Sequence, residues 1–538
     1  DDRLKAALTD REETVRVHAL KIFAERHGPF DKEIYEWTDW NLLKGSPFVQ
    51  RGAVEALGRI PHPGTALGLL TFRQQVPAKD TQMLHVVRMA LRDQFRDPEL
   101  IKLFTFDRKL DPARNEALAD VCLGLSSPES ALYLLHHGLD RTDSVAEFQQ
   151  RIRHIARHLP EDNRPDFMRA LSGRTAGKFD LAGGSVKALV QGVQERGTKL
   201  NESERRWAVE TALLLLNASK PSQLQDGIDI AAALRLSDAQ PALLGISKNP
   251  QHPEAQRKSA IAALVTIEPK KHVEPLTRLL LDDGEKIGVR EQIASSLAAV
   301  NQPEAYTALV QAFEKAPARL QTTIALGMAG SPQGGNKLLN AVAAGKASAR
   351  LLQDRAIELR LRASRVGDLD ARLAKLTKGL PAADQRALEL IGKRKAAFAT
   401  AQTDVKIGRM LYEKHCANCH ILANQGAKIG PQLDGIGIRG LERLLEDILD
   451  PSRNVDQAFR STTLELDNGQ FVSGLLLREQ GKVLVLADNL GKEVRVEGSK
   501  VASRSVGQLS PMPANFAEQI AERDFHHLMA YLLEQRVK

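Results

Sequence analysis

The sequence predicts a mainly α-helical chain built in two parts. Residues 1–392 are expected to form an α-solenoid of stacked helix pairs. Residues 404–538 are expected to form a smaller helical domain with an antiparallel β insert at 459–505, and residues 393–403 a linker between the two. Three observations support this. A short Ala- and Leu-rich pattern recurs at a steady step through the first two thirds. Helical periodicity then gives way to short segments that alternate apolar and polar residues. Aromatics make up only 4% of the 538 residues, a composition that favours helices packed on helices.

The repeated unit is a turn residue, then an Arg or Lys, then an apolar stripe ending in Ala-Leu or Ser-Leu. Copies are Val15-Arg16-Val17-His18-Ala19-Leu20, Gln50-Arg51 to Leu57, Arg257-Lys258 to Leu264 and Arg290-Glu291 to Leu297. Measured on the closing Leu, the steps Leu57 to Leu91, Leu91 to Leu123, Leu234 to Leu264, Leu264 to Leu297 and Leu297 to Leu326 are roughly 29 to 34 residues, the length of one helix pair. A second helix falls between copies, as at Pro275–Leu281, Ala305–Phe313 and Lys337–Val342. Each helix carries apolar residues at i, i+3 and i+4, so each has one stripe that a neighbour must cover. Stacked pairs do this, and Ser46-Pro47, His62-Pro63-Gly64, His252-Pro253 and Ser331-Pro332 supply the turns. The pattern resembles HEAT repeats over most of 1–392. It is weakest at about 159–203, where Gly173 to Gly184 reads as a loop or an irregular repeat.

Charge and composition narrow the function classes. The formal net charge of +8 is spread through alternating acidic and basic residues with no dense Lys/Arg tract, so no nucleic-acid footprint is expected. No apolar run is long enough to span a bilayer. The chain opens at Asp1 inside an amphipathic pattern and reads as a processed or truncated piece. Of the three cysteines, Cys122 lies in a helical stripe and is expected to be a small core residue. His18, His62, His136 and His137 sit singly or paired on helices and turns, with no ligand spacing. No H-E-x-x-H, Walker loop or G-x-S-x-G occurs in a supporting context, so no catalytic constellation is expected in the repeats.

The remaining cysteines lie in His415-Cys416-Ala417-Asn418-Cys419-His420, after a short helix predicted over Asp404–Lys414 through Ile407, Met410 and Leu411. C-x-x-C-H is the c-type haem attachment motif: two thiols one turn apart meet both vinyl groups of one porphyrin, and the next imidazole reaches the iron. Zinc and a redox dithiol are the competing chemistries. Zinc would need two further Cys or His ligands, and no second pair follows. A thioredoxin-like dithiol would head a helix in a βαβ unit. Downstream come Gly430-Pro431-Gln432-Leu433, a helix over Gly440–Leu449 stopped by Asp450-Pro451, and a run of hairpins. The strands are expected at Ser461–Leu466, Phe471–Arg478, Lys482–Ala487 and Glu493–Val496. Asp467-Asn468-Gly469, Gln480-Gly481 and Asn489-Leu490-Gly491 separate them. Leu509-Ser510-Pro511-Met512-Pro513 then leads into a final helix over about 516–535.

These features resemble class I cytochrome c. More specifically they resemble the planctomycete-type haem-binding domain, through C-x-x-C-H, G-P-x-L, the Ile448–Ser452 helix end, the strand insert, Met512-Pro513 and Tyr531-Leu532. The resemblance implies one covalently bound haem c held by Cys416 and Cys419. It makes His420 one axial ligand, with the Pro431 carbonyl holding its ring, and Met512 the sixth iron ligand; His526 and His527 rank behind Met512. His/Met ligation suits electron transfer. The expected function is therefore an electron carrier with the repeats as a docking scaffold for a redox partner protein. Alternatives are the electron-accepting part of a multidomain exported dehydrogenase, or a haem peroxidase or sensor if the sixth iron position is open. Covalent haem attachment implies a periplasmic or otherwise exported protein, with a signal peptide ahead of Asp1 in the gene.

Overall fold

The computed structural model describes residues 2–25, 32–59, 61–107, 109–139, 144–380, 383–453, 455–467, 471–488, 491–507, 510–513 and 515–536. They fall into two compact units, Asp1–Thr211 and Ala212–Lys538.

In the first unit the helices Glu13–Glu25, Pro47–Gly58, Thr81–Gln94 and Pro112–Cys122 pack one on the next. Asp2–Leu8, Lys32–Lys44 and Pro63–Gln75 form a second row beside them. Leu20, Val49, Ala53, Leu57, Leu69, Val87, Leu91 and Leu118 fill the space between the rows, and all are fully or almost fully buried. The closing Leu20, Leu57 and Leu91 are thus core residues, and Leu123 is half-buried against the same core. Short polar side chains start the helices: Asp80 accepts from the Met83 N–H at 3.0 Å, and Asp111 from the Arg114 N–H at 2.9 Å. Cys122 is completely buried among these apolar residues, and burial pushes its thiol well up.

The stretch read as a loop or an irregular repeat at Gly173–Gly184 is helical except for three residues, as an irregular repeat would be and a loop would not. Arg164–Thr175 runs past Gly173, and Phe179–Arg196 carries Gly183 and Gly184 in its first turns. The glycines suggested a loop; tertiary packing overrides that preference, because Phe179–Arg196 lies along Val145–His158. The fully buried Glu195 side chain is held there by Arg153, with Nη2 at 2.9 Å, and by Arg157 at 3.6 Å.

The second unit repeats the scheme. Pro221–Ala233, Glu254–Ile267, Ile287–Val300, Ala318–Met328 and Arg355–Ala363 stack in chain order. Val273–Leu281, Pro303–Phe313, Pro332–Ala343 and Leu369–Leu376 form the second row. The recurrent Arg at the head of a repeat now has a physical role. Arg257 Nε donates to the Ser247 carbonyl at 2.9 Å, and Arg290 Nε to the Leu280 carbonyl at 2.8 Å. Each buried guanidinium satisfies a free carbonyl at the end of the helix before it, ten residues back in both cases.

Residues 393–403 are not a free linker. The helix Ala383–Phe398 runs through the first six of them, and Ile391 and Phe398 join the core of the C-terminal domain. Arg394 lies 5.6 Å from the Phe525 ring centre and pairs with Glu522 at 3.2 Å. Charge on this helix reads as solvated connector, but the helix packs on Gly440–Leu449 and meets the final helix through Phe398 against His526.

In that domain, Val405–His415, Gly440–Leu449 and Glu522–Glu534 surround Tyr412, Leu444, Leu445, Ile448, Phe525, Leu528, Met529 and Leu532. The first helix turns Gly408 and Tyr412 inward rather than Met410, which is exposed. At Gly408 the first and last helices touch: a Cβ there would overlap the His527 carbonyl oxygen and come within 2.6 Å of Tyr531 Cβ. The last helix is also interrupted. Phe516–Gln519 forms one turn, Ile520 is extended, and the long helix starts at Glu522.

The insert is a five-stranded antiparallel sheet: β1 Thr462–Leu466, β2 Phe471–Gln480, β3 Val483–Ala487, β4 Glu493–Glu497 and β5 Val501–Val506, in the order β4-β3-β2-β1-β5. Leu464, Leu486 and Val496 form its small core. The fifth strand was not anticipated. It pairs with β1 at the sheet edge and is exposed along almost all its length, so it lacks the buried alternation that marks the others. Of the turn residues read from sequence, Asn468, Gly469, Asn489 and Leu490 lie outside the described residues, as does Leu509.

Candidate haem-binding site

Asp404 starts the first helix by accepting from the N–H groups of Lys406 at 2.8 Å and Ile407 at 3.4 Å. The helix ends at His415, and the Cys416 and His420 N–H groups turn the motif back with bonds to Tyr412 O at 2.8 Å and Cys416 O at 2.9 Å. The Tyr412 hydroxyl donates to the His420 carbonyl at 2.7 Å. Tyr412 therefore braces the motif from inside the core. No motif pointed to it; only its place one helical turn after Gly408 could have.

The downstream loop is laid over the motif by backbone bonds. The Ala427 N–H donates to Ala417 O at 2.8 Å, the Gly430 N–H to Cys419 O at 2.7 Å and the Leu433 N–H to Ile421 O at 2.9 Å. This puts Pro431 against the histidine: His420 Nδ1 is 2.8 Å from the Pro431 carbonyl oxygen. A carbonyl only accepts, so Nδ1 carries the proton and Nε2 the lone pair that a metal would take. The His420 ring also lies flat on Gly430, where a Cβ would sit 2.7 Å from Cε1, 3.0 Å from Nδ1 and 3.2 Å from Nε2. Burial holds the imidazole below its usual range, and the Pro431 bond works the other way.

Both thiols are half-buried. Burial pushes Cys416 up to about 12, with Cys419 adding to the effect. Cys419 is raised by burial and then by the negative charge of Asp488. Met512 is half-buried against the same apolar core as Cys416. Its N–H donates to Ser510 Oγ at 3.1 Å, and the Ser510 N–H lies 3.3 Å from Ser452 Oγ. The Asp450-Pro451-Ser452 helix stop thus anchors the methionine loop. The structure joins Cys416, Cys419, His420 and Pro431 directly and brings Met512 to the same core. It engages the two histidines of the last helix differently. His527 Nδ1 accepts from the Asp404 N–H at 2.8 Å, and His526 stacks edge-on against Phe398 with ring centres 6.0 Å apart.

These residues fit a c-type haem: two thiols spaced for one porphyrin, an imidazole with a fixed tautomer and a methionine held by its own loop. A structural zinc site would take four protein ligands. Among the described residues no group of three or more His, Cys, Asp or Glu side chains is arranged to hold a metal ion.

Comparison with known proteins agrees with this order of parts. Residues 240–329 match the HEAT repeats family and residues 405–471 the cytochrome c family. No curated protein matches the chain. Among solved structures, the chain is similar to Kap121p bound to Nup53p, at 14% identity over 75% of this chain and 48% of that one, with a TM-score of 0.45. It is also similar to Kap121p bound to RanGTP (15% identity, 74% and 51% covered, TM-score 0.35) and to importin beta (14%, 74% and 61%, TM-score 0.32). The chain spans about half the length of the Kap121p chains it matches. No described helix is long and apolar enough to cross a membrane.

Proposed function

We propose that this chain is a c-type cytochrome that carries single electrons. One haem is attached through Cys416 and Cys419, with His420 and Met512 as its axial ligands, and the helical repeats are a scaffold that docks a redox partner protein. The observation that carries the reading is the 2.8 Å contact between His420 Nδ1 and the Pro431 carbonyl, directly after a C-x-x-C pair. When bound, the haem supplies a one-electron couple whose potential depends on its axial ligands and burial.

The chain's own residues prepare that site. Pro431 fixes which imidazole nitrogen faces the metal and raises its donor strength. Gly430 allows the ring to lie against backbone, and Tyr412 holds the carbonyl of the same histidine from the other side. Ser510 and Ser452 hold the backbone of the Met512 loop, so the histidine ring and the methionine loop are both set before the haem is bound. Covalent haem attachment in bacteria takes place on the export side of the membrane, so the proposed location is the periplasm or another exported compartment.

The test is an optical spectrum and a pyridine haemochrome assay of the protein made in a host that matures c-type cytochromes. A c-type haemochrome with a ferric methionine–iron charge-transfer band, lost in Met512→Ala, is expected. A high-spin ferric spectrum that shifts with cyanide or peroxide would refute His/Met ligation and favour a peroxidase or sensor. Absence of haem would refute the whole reading.

A further inference from the structure

The β insert has no part in ligation, yet one corner of it reaches the haem motif. β3 ends at Ala487, in a strand whose Val485, Leu486 and Ala487 are completely buried. The next residue, Asp488, is locked in place: its N–H donates to Lys492 O at 2.9 Å, and its Oδ1 accepts from the Lys492 N–H at 2.8 Å. Gly491, whose N–H donates to Asp488 O at 3.1 Å, then lies directly on the Cys-x-x-Cys loop. A Cβ at Gly491 would overlap the Asn418 carbonyl oxygen and sit 3.0 Å from Cys419 Sγ, and the residue has a φ of +77°. Only glycine meets both conditions without strain. On the far side, Lys492 Nζ is 3.3 Å from Ser259 Oγ on the repeat helix Glu254–Ile267. Asp488 and Gly491 therefore link the buried end of β3 to the haem motif.

We infer that Asp488 and Gly491 form a potential-setting element of the haem site. Gly491 covers the Cys419 edge, and Asp488, whose carbonyl accepts from the Gly491 N–H, brings a carboxylate to the same corner that favours the oxidised state. This rests on the electron-carrier reading above. The physical reason is charge: oxidation adds a positive charge to the haem, and a fixed negative charge nearby stabilises that form more than the reduced one. Exclusion of water by the Gly491 backbone strengthens the effect, because a partly buried pair is poorly screened. Asp488 acts as a positioning and electrostatic residue and touches no ligand atom of the iron.

The test is the midpoint potential of the full-length holoprotein, measured by spectroelectrochemistry. Asp488→Asn keeps the size and the acceptor oxygen and removes only the charge. At fixed applied potential it is expected to move the reduced-to-oxidised ratio about three- to tenfold toward reduced, where tenfold equals ~59 mV for one electron. Asp488→Glu, which keeps the charge, is expected to shift it far less. In Gly491→Ala, where the added Cβ lifts the corner off Cys419, the shift produced by Asp488→Asn should shrink, because water then screens the carboxylate. An unchanged potential in Asp488→Asn, with the c-type spectrum intact, overturns the proposal and leaves the electron-carrier reading standing. A wild-type protein without covalent haem overturns both. If Gly491→Ala fails to hold haem, Asp488→Asn decides alone, since it adds no atom to the contact.

Discussion

Replacing Tyr412 by Phe removes one hydroxyl and tests the brace between the first helix and the haem motif. Tyr412 is only 1% exposed, and its hydroxyl donates to the His420 carbonyl at 2.7 Å, with the Gln425 carbonyl 3.3 Å away. Removing a buried donor leaves its acceptor unmet and costs about 1–3 kcal/mol. The same group has a pH signature. Burial, with lesser help from nearby acidic groups, pushes Tyr412 up to about 12 from the usual 10. The folded state then holds the phenol proton more tightly than the unfolded chain does. Its contribution is fully present below about pH 10 and is lost as pH rises toward about 12, an effect of roughly 2–3 kcal/mol at most. The assay is urea unfolding of wild type and Tyr412→Phe, followed by haem absorbance from neutral to alkaline pH. Wild type should be the more stable at neutral pH, with the gap closing as pH climbs. A gap that is absent at neutral pH would refute the brace. A gap that stays constant into the alkaline range would refute the buried, proton-holding phenol.

Three further outcomes follow from the packing. Gly408→Ala should destabilise the C-terminal domain by about 2 kcal/mol or more, because the Cβ meets the His527 carbonyl and Tyr531; a lower denaturation midpoint for haem absorbance checks this. Arg257→Ala strands the nearly buried Glu285 carboxylate and the Ser247 carbonyl, and should cost about 3 kcal/mol or more by denaturant unfolding of the repeats. Burial pushes Glu285 up, but Arg257 and the Lys286 N–H outweigh it and leave the carboxyl below its usual range. The wild-type protein should therefore lose this contribution as pH falls through the folded-state value, below the usual carboxylate range, and Arg257→Ala should lose less over the same acid range. His527→Leu removes the acceptor for the Asp404 N–H and should cost about 1 kcal/mol in stability while leaving the visible spectrum unchanged; an altered spectrum would make His527 a ligand instead of Met512.

Much of this protein was legible in one dimension. The Leu-to-Leu step marked the helix pairs, since each pair must bury a stripe of the same length. The Gly440–Leu449 helix and its Asp450-Pro451 stop were readable because Pro cannot continue a helix. β1 to β4 announced themselves by alternation because each has one covered face. The signal failed where that link between burial and periodicity breaks. β5 has no buried face to alternate, and the glycines of 173–184 carry a loop preference that packing overrides. The charged 393–403 segment hides the few apolar residues that dock.

By itself, then, the sequence marked the atoms proposed for the haem site: two thiols and an imidazole by their motif, and a proline carbonyl and a thioether by family resemblance. Tertiary structure alone decided what surrounds them. That Gly408 is a helix crossing, that Tyr412 reaches the His420 carbonyl and that Gly491 rests on Cys419 are consequences of chain segments meeting across 8 to more than 100 residues. Such meetings leave no periodic mark, because close approach is set by the shape of the partner surface and not by the residues adjacent in the chain.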